Sequence, residues 1–206
     1  MKINCYLISA IALMVVSFSS CSKDEKKEES IQGVEVAIPP LDKWVYFTFD
    51  GNKSIPLTED QAKESHEWDI AFHIGDIRVN GSEGFPGKAA IFETGTTDFA
   101  SVSITTPHSD MIGNKLTSII VAADRTKGPT GEMIHEDQYA TGLNTFTIDF
   151  QKMIAERRPR EAFEQNNHVF IVCAADGKTM YKMQTISIFD KMGKLMKTLT
   201  LRIEKL

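Results

Sequence analysis

The segment 68–92 constrains the fold more than any other part of the chain, because it alternates between apolar and polar residues twice and then enters a glycine-rich loop. In the first run, Trp68, Ile70 and Phe72 are predicted to share one face of a strand, with the residues between them on the other face. A second alternating run follows directly. The loop 80–87 then contains three glycines and one proline, which suits a compact connection between strands.

Similar short runs recur along the chain, separated by turn residues such as Gly, Pro, Asp and Asn. Strands are predicted at 34–38, 44–49, 100–106, 115–123, 146–150, 168–174, 178–189 and 194–203. Many short strands with turn signals every 8–12 residues or so predict an antiparallel all-β fold, either a β-sandwich or a twisted double sheet. The segment 151–165 is predicted to be a short helix or an extended loop.

The first twenty residues have the features of a secretory signal. Lys2 is their only charged residue, residues 6–16 form an apolar run too short to span a membrane, and small residues precede Cys21. A cysteine at this point predicts a lipoprotein signal, with Cys21 as the acylated first residue of the mature chain. The alternative is an ordinary secretory signal.

A charged segment separates this signal from the remainder of the chain. Residues 22–30 have mixed charge and no apolar side chain, so they cannot bury enough surface to fold. We therefore predict a signal peptide at 1–20, a lipidated cysteine with a flexible tether at 21–33, and one all-β domain at 34–206. The acidic residues at 24–25 resemble a signal for the outer face of the outer membrane, which favours the cell surface over the periplasmic face.

Charge and cysteine content exclude several classes of function. The sequence has 23 Lys and Arg against 28 Asp and Glu, and loss of Lys2 with the signal leaves 22 against 28, a net charge of about −6. Nucleic-acid binding requires basic side chains that neutralise phosphates, so we expect no nucleic-acid partner. With Cys5 in the signal and Cys21 acylated, Cys173 stands alone, which leaves neither an intrachain disulfide nor a multi-cysteine zinc site.

Three motifs occur in a characteristic order. W-x-Y-F-x-F spans residues 44–49, W-D-x-A-x-H spans 68–73, and D-x-R-x-N-G begins at Asp76 and runs into the glycine-rich loop. Together with a late hairpin at 169–177, they resemble the HmuY family of haem-binding lipoproteins from Bacteroidetes-type bacteria. The resemblance covers most of the chain beyond residue 40, and it implies an HmuY-like all-β fold and haem as the ligand.

The same resemblance implies the residues that hold the haem iron. In the family, a Gly-Pro-x-Gly turn is followed closely by one axial ligand, and a second ligand follows the next aromatic strand; some members use histidine and others methionine. The turn corresponds here to residues 128–131, which implies Met133 as the first ligand and Met153, just beyond Phe150, as the second. A thioether binds haem iron and favours its softer ferrous state.

Other residues compete with this ligand pair. His135 lies two residues from Met133 and is the obvious substitute, and Met111 is a more distant candidate. Methionine is also a common filler of gaps in hydrophobic cores, so a structural role stays open for Met133 and for Met153.

Two basic residues, Arg125 and Lys127, flank the first ligand segment. They are candidate partners for the haem propionates, and a solvated basic face is the alternative.

The sequence contains no recognisable catalytic motif. His66-Glu67 and His135-Glu136 each begin like a zinc-protease motif but lack the second histidine, and there is no P-loop, dinucleotide fingerprint or Gly-x-Ser-x-Gly. We therefore predict a binding protein and not an enzyme.

The resemblance implies a surface lipoprotein, anchored to the membrane through Cys21, that binds haem between two loops and delivers it to a TonB-dependent outer-membrane receptor for iron acquisition. The alternative function is a lipoprotein of the same fold that has no haem site and binds a protein, a glycan or another small ligand.

Overall fold

The computed structural model describes most of the chain from residue 33 onward. The described residues are 33–124, 126–127, 131–155, 161–189 and 195–206, without the side chains of 153–155 and 195–196. The predicted signal peptide, Cys21 and the tether up to residue 32 lie outside the described residues, as does Arg125.

Short strands dominate the described part. They are β1 (Val34–Ala37), β2 (Val45–Thr48), β3 (Lys53–Ile55), β4 (Ile70–His73), β5 (Asp76–Val79), β6 (Ala90–Glu93), β7 (Lys115–Asp124), β8 (Glu132–Ala140), β9 (Phe146–Ile148), β10 (Phe163–Gln165), β11 (Val169–Cys173), β12 (Met180–Phe189) and β13 (Leu195–Lys205). The helices are α1 (Glu59–Ala62), α2 (Phe150–Ala155) and a 3-10 turn at Phe99–Ser101.

The strands form two larger sheets and two hairpin-like pairs. One sheet has the order β3-β2-β4-β5, and the other has the order β1-β13-β12-β11-β6. Strands β7 and β8 form a separate two-stranded sheet, as do β9 and β10. All of these pairings are antiparallel, which confirms the predicted antiparallel all-β fold.

The main core takes side chains from both larger sheets. Ile70 and Phe72 of β4 and Ile77 of β5 belong to the same buried cluster as Phe170 of β11 and Met183 of β12. The two sheets therefore pack as a sandwich over a shared apolar layer, as the alternation of β4 predicts.

A second apolar cluster lies on the other face of the four-stranded sheet. It contains Tyr46, Trp68, Ala71 and Phe85. The prediction that Trp68 shares a face with Ile70 is wrong, because β4 begins only at Ile70 and the preceding backbone does not continue the strand alternation. Instead, the Trp68 indole N–H donates to the carbonyl of Ala62 at 3.1 Å, and its ring packs edge-on against Phe85.

The buried carboxylate of Asp69 joins the two sheets. Its Oδ2 accepts hydrogen bonds from the Thr48 hydroxyl and the Phe49 amide, both at 2.9 Å, at the end of β2. Its Oδ1 accepts from the Ala175 amide at 2.8 Å, in the turn between β11 and β12. One side chain thus satisfies donors from both halves of the sandwich, which explains why a carboxylate is required next to Trp68.

The glycine-rich loop is held by the side-chain amide of Asn80. The Asn80 Nδ2 donates to the carbonyls of Ser65 and Trp68 at 2.9 and 2.7 Å, and its Oδ1 accepts from the Gly87 amide at 3.0 Å. A Cβ on Gly87 would lie 2.2 Å from the Asn80 carbonyl oxygen. This close approach of two backbone segments requires glycine at position 87.

The strand predicted at 100–106 is wrong. The chain forms the 3-10 turn at Phe99–Ser101 there, and the Asp98 carboxylate accepts a hydrogen bond from the Ala100 amide at 3.0 Å. Beyond it, the Ser103 amide donates to the Thr106 hydroxyl at 2.9 Å. Hydroxyl and carboxylate side chains that bond to nearby backbone groups compete with a β-ladder, and they prevail in this segment.

No strand is predicted between residues 123 and 146, but residues 132–140 form β8. Most of its side chains are polar and exposed, so hydrophobic alternation does not reveal it. Its ladder with β7 defines it, running from the Lys115–Ala140 pair to the Asp124–Glu132 pair with one bulge after Ile120. The segment 151–165 proves to contain the C-terminal part of α2 followed by β10.

We expect Asp69→Asn to lower the free energy of unfolding by about 2–4 kcal/mol, because an amide NH₂ would face N–H and O–H donors in a buried position. Urea unfolding measures this loss. Asp50→Asn, an exposed change close by, is the matched control and should have an effect within about 0.5 kcal/mol. Equal stability of the two variants would contradict the bridging role of Asp69.

Candidate functional site

The β7–β8 hairpin faces the segment that joins β9 to α2 across a groove. Ile120 and His135 are cross-strand partners in the hairpin, and both line this groove. On the opposite side stand Phe146, Ile148 and Phe150, the last of which begins α2. The groove has a volume of about 190 Å³. The structure therefore brings His135 of β8 and the start of α2 to one groove, whereas Met133 is not among the residues that line it.

Met133 is half-buried and lies near the tip of the hairpin, paired with Ala123. Residues two apart on a strand point to the same side, so Met133 shares a face of β8 with His135, about 7 Å further along the strand. Both candidate ligands on the hairpin are thus carried by a strand and not by a loop.

The imidazole of His135 is exposed, and its Nδ1 lies 3.4 Å from the Ser118 hydroxyl oxygen. A long contact of this kind restrains the ring weakly. Within the described part of the chain, Nε2 of His135 has no hydrogen-bond partner, so it is available to a ligand.

None of the remaining predicted site residues is among the described residues that line this groove. Met153 lies in α2, three residues after Phe150, and its side chain is outside the described set. Lys127 is exposed, and its Nζ lies 3.8 Å from a carboxylate oxygen of Glu132 near the hairpin tip. Met111 packs against a separate apolar cluster built around Phe99, which is the structural role that methionine commonly has.

The side chain of Arg78 anchors the base of the hairpin to the four-stranded sheet. Although charged, it is only 1% exposed. Its Nε donates to the Tyr139 carbonyl at 2.6 Å, and Nη2 donates to Gln138 at 3.3 Å. Its Nη1 contacts both carboxylate oxygens of Glu59, at 3.0 and 2.8 Å. These partners compensate the cost of burying the guanidinium, and they fix β8 relative to β5.

The aromatic residues of the first motif complete this anchor. The Arg78 Cζ lies 3.9 Å from the centre of the Trp44 ring, a cation–π contact, and the Trp44 N–H donates to Gln138 at 2.8 Å. The ring of His73 packs against Trp44 at 5.1 Å and bonds to the carbonyl of Leu41. His73 is fully buried. Trp44 and His73 thus pack beside Arg78 at the base of the hairpin.

A larger cleft, of about 670 Å³, lies beside the base of the hairpin. Its walls include Trp44, Leu57 and Leu116, and the Arg78–Glu59 pair lies among its lining residues. Leu116 and His135 belong to the same hairpin, so the hairpin borders this cleft and the smaller groove at once.

Tyr46 also lines the larger cleft, and its hydroxyl donates to a Glu59 carboxylate oxygen at 2.6 Å. Burial of the phenol raises the pKa of Tyr46 well above its ordinary value, and the hydrogen bond to the Glu59 carboxylate raises it further. Tyr46 therefore stays a neutral donor at alkaline pH.

Among the residues that the structure describes, no group of three His, Cys, Asp or Glu side chains could hold a metal ion. The soft donors on the hairpin are the Met133 thioether and the His135 imidazole, which suit an iron already held by a macrocycle better than a free hard cation.

The fold is an antiparallel β-sandwich with a groove beside a two-stranded hairpin. The family model described as HmuY protein matches residues 41–202. The chain belongs to the HmuY family, and the predicted family is confirmed. Members of this family are binding proteins rather than enzymes.

Solved structures of similar fold are known. A protein from Bacteroides vulgatus, described as HmuY-like and heme-binding, is 20% identical with a TM-score of 0.59, over 83% of this chain and 89% of that one. A protein from Bacteroides fragilis described as a lipoprotein is 19% identical with a TM-score of 0.61, over 83% and 88%. The apo HmuY analogue of Tannerella forsythia is 16% identical with a TM-score of 0.57, over 84% and 94%. These likenesses show the shared fold.

No curated protein matches the sequence significantly. Within the described ranges, none of the helices combines the length and apolar character needed to span a membrane.

We expect Tyr46→Phe to flatten the loss of stability at alkaline pH. An unfolded tyrosine titrates near pH 10, whereas the raised pKa of Tyr46 keeps the phenol protonated in the folded protein. Above pH 10, therefore, only the unfolded state releases this proton. The stability that Tyr46 contributes below pH 10 is lost as the pH rises. At pH 7 the variant should be less stable by about 1 kcal/mol, because the bond to Glu59 is lost. Above pH 10 the gap should narrow, as measured by urea unfolding; parallel curves would contradict this.

Proposed function

We propose that the protein is a surface lipoprotein that binds haem between the β7–β8 hairpin and the β9–α2 segment and delivers it to a TonB-dependent outer-membrane receptor. The observation that carries the proposal is the groove in which Ile120 and His135 face Phe146 and Phe150. Capture and delivery break no covalent bond, so the proposal requires no catalytic residue.

Part of the groove offers the apolar contact that a porphyrin requires, beside polar residues such as Asp76, Ser118 and Asn144. Its walls include Ile74, Ile120, Phe146 and Ile148, which offer apolar contact to a flat macrocycle. Its volume of about 190 Å³ is below the roughly 300–1,000 Å³ of most small-molecule sites. Haem binding therefore requires the hairpin and α2 to separate, or leaves one edge of the macrocycle in solvent.

Met133 and Met153 are the proposed axial ligands, and His135 is the alternative on the hairpin. A neutral, polarisable thioether bonds well to ferrous iron but adds no charge to offset ferric iron, so reduced haem should bind more tightly than oxidised haem. Lys127 is exposed near the hairpin tip, and with Arg125 it is the proposed partner of the propionates.

The ligand proposal predicts the visible spectrum of the purified domain with added haem. Met133→Leu and Met153→Leu each remove a sulfur while keeping an apolar side chain of similar size, and each should abolish the low-spin ferrous spectrum. His135→Ala should leave the spectrum intact. Because a thioether does not titrate, the wild-type spectrum should also persist near pH 5, where free imidazole, with a pKa of about 6.5, is protonated.

Met180→Leu is the matched control, because Met180 packs against the cluster around Phe99 and not in the groove. Loss of the spectrum in His135→Ala, together with loss on acidification, would move the axial ligand to His135. A domain that gives no haem spectrum in either oxidation state would refute the proposed function.

The proposed location rests on the N-terminal sequence, with a signal peptide at 1–20, a lipidated Cys21 and tether at 21–33, and the all-β domain at 34–206. The similar structure from Bacteroides fragilis, described as a lipoprotein, supports this organisation. Acylation of Cys21 would hold the domain at the outer membrane, close to a receptor.

Cys21→Ala should leave the chain unlipidated and remove it from the outer-membrane fraction, because the anchor is the acyl chain on that sulfur. Cell fractionation and immunoblotting measure the distribution. Cys173→Ala, which changes a cysteine within the domain, is the control and should stay with the membrane. Retention of the Cys21→Ala chain in that fraction would contradict the anchor.

A further inference from the structure

A third cleft, of about 330 Å³, lies beside the β9–β10 sheet. All of its lining residues are polar, and they include Thr97, Asn144, Thr147, Glu164 and His168. It shares Asn144 and Thr147 with the proposed haem groove, whereas Glu164 and His168 border this cleft only. A concave surface with an entirely polar lining differs from the apolar sites that suit haem.

His168 is held in a fixed orientation at this cleft. Its Nδ1 lies 2.8 Å from the Glu93 carboxylate, and the same oxygen accepts from the Asn166 side chain at 2.8 Å. The Asn166 side-chain oxygen Oδ1 in turn accepts from the His168 backbone amide at 2.9 Å. A carboxylate at Nδ1 favours a proton on that nitrogen, so Nε2 is an acceptor in the neutral imidazole. Within the described part of the chain, nothing bonds to it.

Three other polar side chains at the cleft form no hydrogen bond within the described residues. Glu164 and Thr147 are direct cross-strand partners in the β10–β9 ladder, so their side chains project from the same face. Neither side chain forms a hydrogen bond within the described residues, and the Asn144 side-chain amide is equally free there. The cleft therefore presents carboxylate, hydroxyl, amide and imidazole groups that a ligand could satisfy.

The lining excludes most ligand classes by its chemistry. It contains no Lys or Arg to attract an anion, and no aromatic or aliphatic side chain for an apolar ligand. The described residues also lack a grouping of three metal-binding side chains. A neutral ligand rich in hydroxyl groups fits, because each hydroxyl both donates, to Glu164 or to Nε2 of His168, and accepts, from Asn144 or Thr147.

We propose that this cleft binds a neutral sugar, either as a monosaccharide or as the end of a glycan chain. A volume near the lower limit of small-molecule sites suits one such unit. Glu164 and His168, which the test below changes, line this cleft and not the haem groove. Either proposal can therefore fail without the other.

The test is a titration of the isotope-labelled, haem-free protein with galactose, mannose, N-acetylglucosamine and N-acetylgalactosamine, followed by amide NMR shifts. At least one sugar should give saturable shifts centred on Thr147, Glu164 and His168. Glu164→Gln and His168→Phe should each weaken binding by about tenfold or more, the loss expected for one hydrogen bond to a charged or oriented group.

Matched controls are Glu35→Gln and His66→Phe, which change the same residue types at exposed positions away from the cleft. Both should bind sugar as the wild type does. The proposal is overturned if none of the four sugars gives saturable shifts, if both cleft variants bind normally, or if inorganic phosphate binds more tightly than the sugars.

Discussion

The buried guanidinium of Arg78 is the contact on which the geometry of the groove depends. It joins Glu59 of α1, the Trp44 ring and the Tyr139 carbonyl of β8 around one charge. A two-stranded hairpin has little stability of its own, so the position of β7–β8 depends on such anchors at its base. The tip carries exposed residues such as Lys127. A fixed base and an exposed tip are compatible with the proposed binding of haem beside the hairpin.

The sequence predicts the sandwich correctly wherever hydrophobic alternation reports burial, as at Ile70 and Phe72. It fails where local polar bonds decide the backbone, as at the 3-10 turn after Asp98, and where a strand is mostly polar, as in β8. β8 is stabilised by its backbone hydrogen bonds to β7. Such bonds do not depend on side-chain type, so they produce no alternation of apolar and polar residues in the sequence. The error at Trp68 has a related cause, since alternation cannot mark where a strand begins.

The candidate site shows the same limits. The family resemblance implies Met133 and Met153 as ligands, and of the residues near them His135 and Phe150 line one groove. Alternation assigns Arg78 to the polar face of β5, which in isolation would be a solvated face. It is buried because α1 and the hairpin cover that face, and a single strand pattern carries no information about such covering elements. Likewise, Thr147 and Glu164 are brought side by side only by the β9–β10 ladder, which the sequence pattern does not reveal.

Hydrogen exchange followed by mass spectrometry, with and without haem, tests the central claim most directly. Haem seated between the hairpin and α2 should slow amide exchange in residues 132–140 and 146–155, because the bound macrocycle contacts both segments and restrains their local opening. Exchange around Trp44 and Glu59, at the larger cleft, should be unchanged. Protection confined to the larger cleft, or no protection in either segment, would contradict the account.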